Sequence, residues 1–119
     1  MDLNISISNQ TNYVVITMNG KIDFSYSNYF LKKLNDVLLS GKKNVIMDFS
    51  EITFISSTGI GVILEAKNYT EENGGRFIIS SLSNTIRQVF ELIGVLSSME
   101  VCDNLDDAIL RVHPERSVL

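Results

Sequence analysis

Three hydroxyl residues in succession, Ser56, Ser57 and Thr58, stand between a hydrophobic run ending at Ile55 and the glycine-broken apolar stretch Gly59-Ile60-Gly61-Val62-Ile63-Leu64. Two kinds of chemistry suit this pattern. A serine at a helix start, Ser56 or Ser57 here, caps it: the side-chain oxygen accepts a hydrogen bond from an unpaired backbone N–H of the first turn, worth about 1 kcal/mol. One hydroxyl is enough for that. A second role is to accept a phosphoryl group, since a phosphoserine adds roughly −1.5 to −2 charges beside the positive end of the helix dipole, where free N–H groups meet its oxygens. Gly59 and Gly61 are poor helix residues, at up to ~1 kcal/mol each. They either leave the hydroxyls open to another protein or let the helix approach a sheet closely.

The other reactive side chains are scattered. Asp23 lies two residues before Ser25 and is suited to capping a helix there; Asp48 ends a predicted strand and can hydrogen-bond a loop. Cys102 has no cysteine or histidine companion and reads as a buried thiol. The single histidine, His113, follows the last predicted helix, where a cation favours the dipole. Serine hydrolysis needs a base and its orienter, and "SSTGIG" lacks the glycine two residues before the serine that a nucleophile elbow has. Metal chemistry lacks a ligand cluster, and "GIG" lacks the lysine and spacing of a phosphate-binding loop. A receiver domain needs adjacent acids after its first strand, and "NGKID" offers one. The chain therefore reads as a non-enzyme with no catalytic residue, metal or cofactor.

The elements that must position these residues follow from periodicity. Leu3, Ile5 and Ile7 alternate with polar residues as in a strand covered on one face, and "YVVITM" suits a second strand buried on both. From Ser25 the apolar period lengthens: Phe30, Leu34, Val37 and Leu38 predict a helix ending at Ser40-Gly41. "NVIMDFS" is a third strand, and "SEITFI" leads from it into a helix from about Thr58 to Glu72. "RFIISS", a helix from Ser83 to Gly94 with Ile86, Val89, Phe90 and Ile93 on one face, a weak strand "SMEVCD" and a last helix carrying Leu105, Ala108, Ile109 and Val112 complete the pass. The order β-β-α-β-α-β-α-β-α predicts an α/β domain with a mixed, mostly parallel sheet, the first strand antiparallel at its edge. One domain over residues 1–112 and a tail over 113–119 are expected. Sites in such sheets lie at the carboxyl ends of strands, which here are the "GKID" and "FISSTG" stretches.

Composition sets the outer bounds. Net charge is −4, and no run of basic residues is longer than the pairs Lys32-Lys33 and Lys42-Lys43, which disfavours nucleic acid as a partner. No apolar run has the roughly 18 residues of a membrane span, and "MDLNISISNQ" lacks the features of a signal peptide. A cytoplasmic location, away from membranes, is expected, and the lone cysteine fits a reducing compartment.

"GKID", followed after a helix by "VIMDFSEITFISSTGIGVILEAKNYTEENGGRFIISSLSNTIRQVFELIGV", resembles the STAS domain of bacterial anti-sigma-factor antagonists. That family has a Gly-x-Ile/Leu-Asp strand exit, a strand ending in Asp, then Asp-Ser-Ser/Thr-Gly-Leu-Gly, a helix, Gly-Gly, a strand and a Leu/Ile-x-Gly helix end. The resemblance runs from about Leu3 to Ile109. It implies a phospho-acceptor at Ser57, with Thr58 and Ser56 as the alternatives, and a partner surface at Asp23, Ser56, Ser57, Thr58, Gly59, Ile60 and Gly61. It also implies two partners: an anti-sigma factor with serine kinase activity, released when Ser57 is phosphorylated, and a metal-dependent phosphatase that restores binding. Two positions depart from the pattern, Ser56 replacing the motif Asp and Lys21 replacing a frequent Glu; each makes the site more positive. The Ser56 exchange keeps a second reading open: an interaction module that is never phosphorylated, docking into a regulatory or transporter complex through Ile60, Val62 and Ile63. Ile60 and Ile63, with Leu64, also fit a buried stripe.

Overall fold

The computed structural model of the chain describes residues 3–41 and 44–112; the Lys42-Lys43 pair and the expected tail with His113 lie outside the described residues. Its elements are β1 (Leu3–Asn9), β2 (Tyr13–Ile22), α1 (Ser27–Leu39), β3 (Asn44–Ile55), α2 (Ser57–Glu72), β4 (Phe77–Ser80), α3 (Asn84–Ile93), β5 (Glu100–Cys102) and α4 (Leu105–Val112), with 3₁₀ turns at Phe24–Tyr26 and Leu96–Ser98. The five strands lie in chain order, β1 antiparallel to β2 and every other pair parallel. This is the architecture the sequence pattern predicts.

Sequential parallel strands joined by crossovers of one hand place the connecting helices on one face. Accordingly α1, α2 and α3 bury Phe30, Leu34, Ile60, Ile63, Ile86 and Phe90 against Val14, Ile16, Val45, Met47, Phe77 and Ile79 of the sheet. The alternate residues Tyr13, Val15, Ile46 and Ile78 point to the opposite face, where α4 covers them with Ala108 and Val112. Residues 13–16 are thus buried on both faces, as their unbroken apolar run requires. Helix ends follow the expected chemistry: Ser83 Oγ accepts from the Ile86 N–H, and Gly94, at φ 85°, closes α3 in the left-handed region.

The first helix differs from expectation at its start. Asp23 caps a short 3₁₀ turn, and the α-helix begins only at Ser27. A larger difference is β3, which continues through "SEITFI" to Ile55 instead of ending near Phe49. The pairing register slips between Thr17 and Asn19 and again between Gly20 and Lys21, after which Ile22 aligns with Ile55. Such irregularities break the two-residue period, so polar Ser50, Glu51 and Thr53 conceal the strand, while Ile52 and Ile55 still reach the core.

Candidate functional site

The extension of β3 delivers the hydroxyl run to the end of β2. The Ser56 N–H donates to the Ile22 carbonyl at 2.8 Å, so the two segments read as carboxyl-end loops, after Ile22 and after Ile55, meet side by side. Ser56 has the extended backbone of an N-cap (φ −84°, ψ 164°), and its Oγ accepts from the Gly59 N–H at 3.1 Å. Ser56, and not Ser57, therefore caps α2. An aspartate is an equally good cap, so Ser56 in place of the motif acid keeps this bond and removes a charge.

That assignment leaves two hydroxyls without structural duty. Ser57 is the first residue of the 16-residue α2; it and Thr58 are exposed, and neither side chain has a hydrogen-bond partner among the described residues. Asp23, half-buried beside them in the chain trace, uses Oδ1 to accept from the Ser25 N–H (3.0 Å) and the Ser25 hydroxyl (2.7 Å). It caps its own turn, at the mouth of the same loop pair.

The two glycines separate into different roles. A Cβ on Gly59 would stand 2.7 Å from Ile22 Cγ2, 3.1 Å from Ile55 Cγ1 and 3.3 Å from the Ile22 carbonyl, so this glycine is where α2 meets the sheet. At Gly61 the space is open. Ile60 is 1% exposed and Ile63 fully buried, with Val62 half-buried. The side chain of Ile60, expected as a partner contact, fills the core between α2 and the sheet, because the inward face of an amphipathic helix takes its largest apolar residues.

Two residues flanking the site were not singled out by sequence. Phe24, directly after Asp23, is 76% exposed, and Phe54, two residues before Ser56, is 47% exposed. Phe54 aligns with exposed Lys21 on the neighbouring strand. Neither aromatic stands out from its neighbours in a linear reading; only the turn after β2 and the slipped register of β3 bring them outward.

The remaining candidates lie elsewhere. Asp48 is buried, accepting from Ser80 Oγ (3.0 Å) and Ser50 Oγ (2.8 Å), so it ties β4 to the irregular stretch of β3 and does not face the hydroxyl site. A depression of about 350 Å³ between α1 and α2, lined by Leu34, Leu38, Val62, Ala66 and Tyr69, includes neither Ser57 nor Asp23. Cys102 is buried, and burial pushes its thiol above the ordinary range, against the formation of thiolate. We expect Cys102 to be unreactive toward an aromatic disulfide reagent in the native protein and to react stoichiometrically in denaturant; rapid native labelling would contradict this placement. Among the described residues no group of three or more His, Cys, Asp or Glu is positioned to hold a metal ion, and no helix is long and apolar enough to cross a membrane.

The profile of the STAS domain matches residues 4–108. The chain belongs to the STAS domain family. Among STAS proteins it is similar to the anti-sigma-B factor antagonist of Staphylococcus aureus, 24% identical over 105 residues that span 85% of this chain and 94% of that one. The structure superposes on the anti-sigma factor antagonist SpoIIAA in its unphosphorylated form with a TM-score of 0.79 and 26% identity, covering 98% of this chain and 99% of the other. It also superposes on the Bacillus cell fate determinant SpoIIAA in its phosphorylated form, with a TM-score of 0.71 and 27% identity over 92% of this chain and all of the other (100%). A STAS relative of this shape thus exists both with and without phosphate.

Proposed function

We propose that this STAS protein is an anti-sigma-factor antagonist: unphosphorylated, it binds an anti-sigma factor that is also a serine kinase, and phosphate on Ser57 ends the interaction. One observation carries the reading. Ser56 satisfies the helix cap alone, which leaves the Ser57 hydroxyl exposed and unbonded at the amino end of α2. The kinase transfers the γ-phosphoryl group of ATP to Ser57 Oγ, the hydroxyl proton departs, and ADP leaves. The product dianion sits at the positive end of the helix dipole, so the fold tolerates the modification. A metal-dependent phosphatase reverses it. The partner covers the surface formed by Asp23, Ser57, Thr58 and Gly61, with Phe24 and Phe54 as its apolar contacts. The protein performs no catalysis of its own and works in the cytoplasm, without nucleic acid or membrane as partner.

The reading as a module that is never phosphorylated is weakened by burial. Of the residues proposed for its docking, Ile60 and Ile63 are in the core. The deciding experiment incubates the protein with an anti-sigma kinase and ATP and maps phosphate by peptide mass spectrometry. Phosphate is expected on Ser57, and Ser57→Ala abolishes incorporation. Phosphate confined to Thr58 or Ser56 would overturn the acceptor assignment.

A further inference from the structure

The two edges of the sheet are built differently. β5 is three residues long, and its Glu100 is held by Arg76 and Arg111, which makes that edge short and charged. Edges of this kind resist pairing with another chain. β1 is seven residues long, its outer side pairs with no strand among the described residues, and its register with β2 contains no bulge. It has no proline. No charged residue lies in β1 or in the part of β2 that pairs with it: residues 3–20 contain none of the ten basic and fourteen acidic residues, and the flanking charges are Asp2 and Lys21. Leu3 is anchored in the core on one face of β1, but along that face Ile5 is only half-buried and Ile7 is 39% exposed.

We propose that β1 pairs antiparallel with β1 of a second copy, about a two-fold axis at Ser6, so that one sheet runs through the dimer. Centring on Ser6 engages all seven residues: Leu3 opposes the partner's Asn9, Asn4 the partner's Ser8, and Ile5 the partner's Ile7. Because side chains alternate, this register puts isoleucine on isoleucine on one face and polar residues together on the other. A neutral strand of matching alternation is the occupant this edge favours, since a charged peptide would lose hydration and meet no opposite charge. The chain supplies such a strand itself, since β1 contains no charged residue. Strand pairing covers less than the ~1,200 Å² of a standard stable interface, so the dimer forms with a dissociation constant on the order of micromolar. It does not depend on the state of Ser57.

Sedimentation velocity on the full chain, over concentrations spanning that value, should show a monomer–dimer equilibrium. Ser6→Lys, on the exposed face of β1, should remain monomeric with an unchanged circular dichroism spectrum. Under copper–phenanthroline oxidation Ser6→Cys should form a covalent dimer, because the axis sets the two thiols opposite each other with Cα atoms ~4.5–5.5 Å apart, within reach of a disulfide. Asn4→Cys should not, since it faces the partner's Ser8, and buried Cys102 contributes no background. A monomer at every concentration, equal dimerisation of Ser6→Lys, or cross-linking of Asn4→Cys as readily as Ser6→Cys would each overturn the proposal.

Discussion

Phosphorylation of Ser57 should lower the affinity for the anti-sigma kinase ~100-fold or more, about 2.7 kcal/mol of binding free energy. The magnitude follows from where the charge sits. Ser57 is exposed in the free protein, so its phosphate is hydrated there and stabilised by the first turn of α2. Docking must strip that hydration, and a charge buried without a partner costs several kcal/mol. Ser57→Asp carries about half the charge of a phosphoserine and lacks its third oxygen, so an affinity loss of ~10-fold is expected. Ser57→Ala should bind within a factor of about three of the unmodified protein, because truncating an exposed, unbonded hydroxyl strands no buried group. Isothermal titration calorimetry of the three forms measures the series directly. Equal affinities for the phosphorylated and unphosphorylated proteins would remove the basis of the switch.

Alanine at the two motif glycines should act with opposite signs. Gly59→Ala drives a methyl group to within 2.7 Å of Ile22 Cγ2, on a β-branched side chain whose rotation is restricted in a strand, and 3.3 Å from the Ile22 carbonyl. Overpacking of this kind costs ~1–3 kcal/mol, only partly offset by alanine's better helix propensity, so a net loss of ~1–2 kcal/mol and a Tm lowered by ~4–8 °C are expected. Gly61→Ala meets nothing within 4 Å and should raise stability by ~0.5–1 kcal/mol, or ~2–4 °C. Gly61 lies four residues after Ser57, on the same helical face, and a Cβ there tilts back toward the helix start. The more stable variant should therefore be a slower substrate for the kinase. Thermal melts and phosphorylation time courses on both variants separate the two roles: a Gly61→Ala protein phosphorylated at the normal rate would show that this glycine does not serve access.

Much of this architecture was legible in the linear sequence because its signals are local. The alternation in residues 3–7, the helical spacing of Phe30, Leu34 and Val37, and the serine and glycine at the two ends of α3 depend on neighbours within a few residues. Parallel pairing followed from the strand-helix-strand order, since crossovers have one hand. The hydroxyl run was visible for the same reason, as was its position at a helix start.

The division of labour inside that run was not visible. Sequence left the cap open between Ser56 and Ser57, and only the backbone geometry at Ser56, set by its hydrogen bond to Ile22, assigns the cap and frees Ser57. The fate of Ile60 depended on which side of α2 meets the sheet, and that is decided by contact of Gly59 with Ile22, 37 positions away in the chain. The exposure of Phe24 and Phe54 likewise depends on the turn after β2 and on a slipped register between β2 and β3, neither of which leaves a periodic trace. By itself the sequence determined the elements, their order and the chemistry offered at the start of α2, because these rest on short-range periodicity and residue type. The tertiary structure alone decided which hydroxyl is free, which apolar side chains face outward and which edge of the sheet is unguarded, because each depends on contacts between segments distant in the chain.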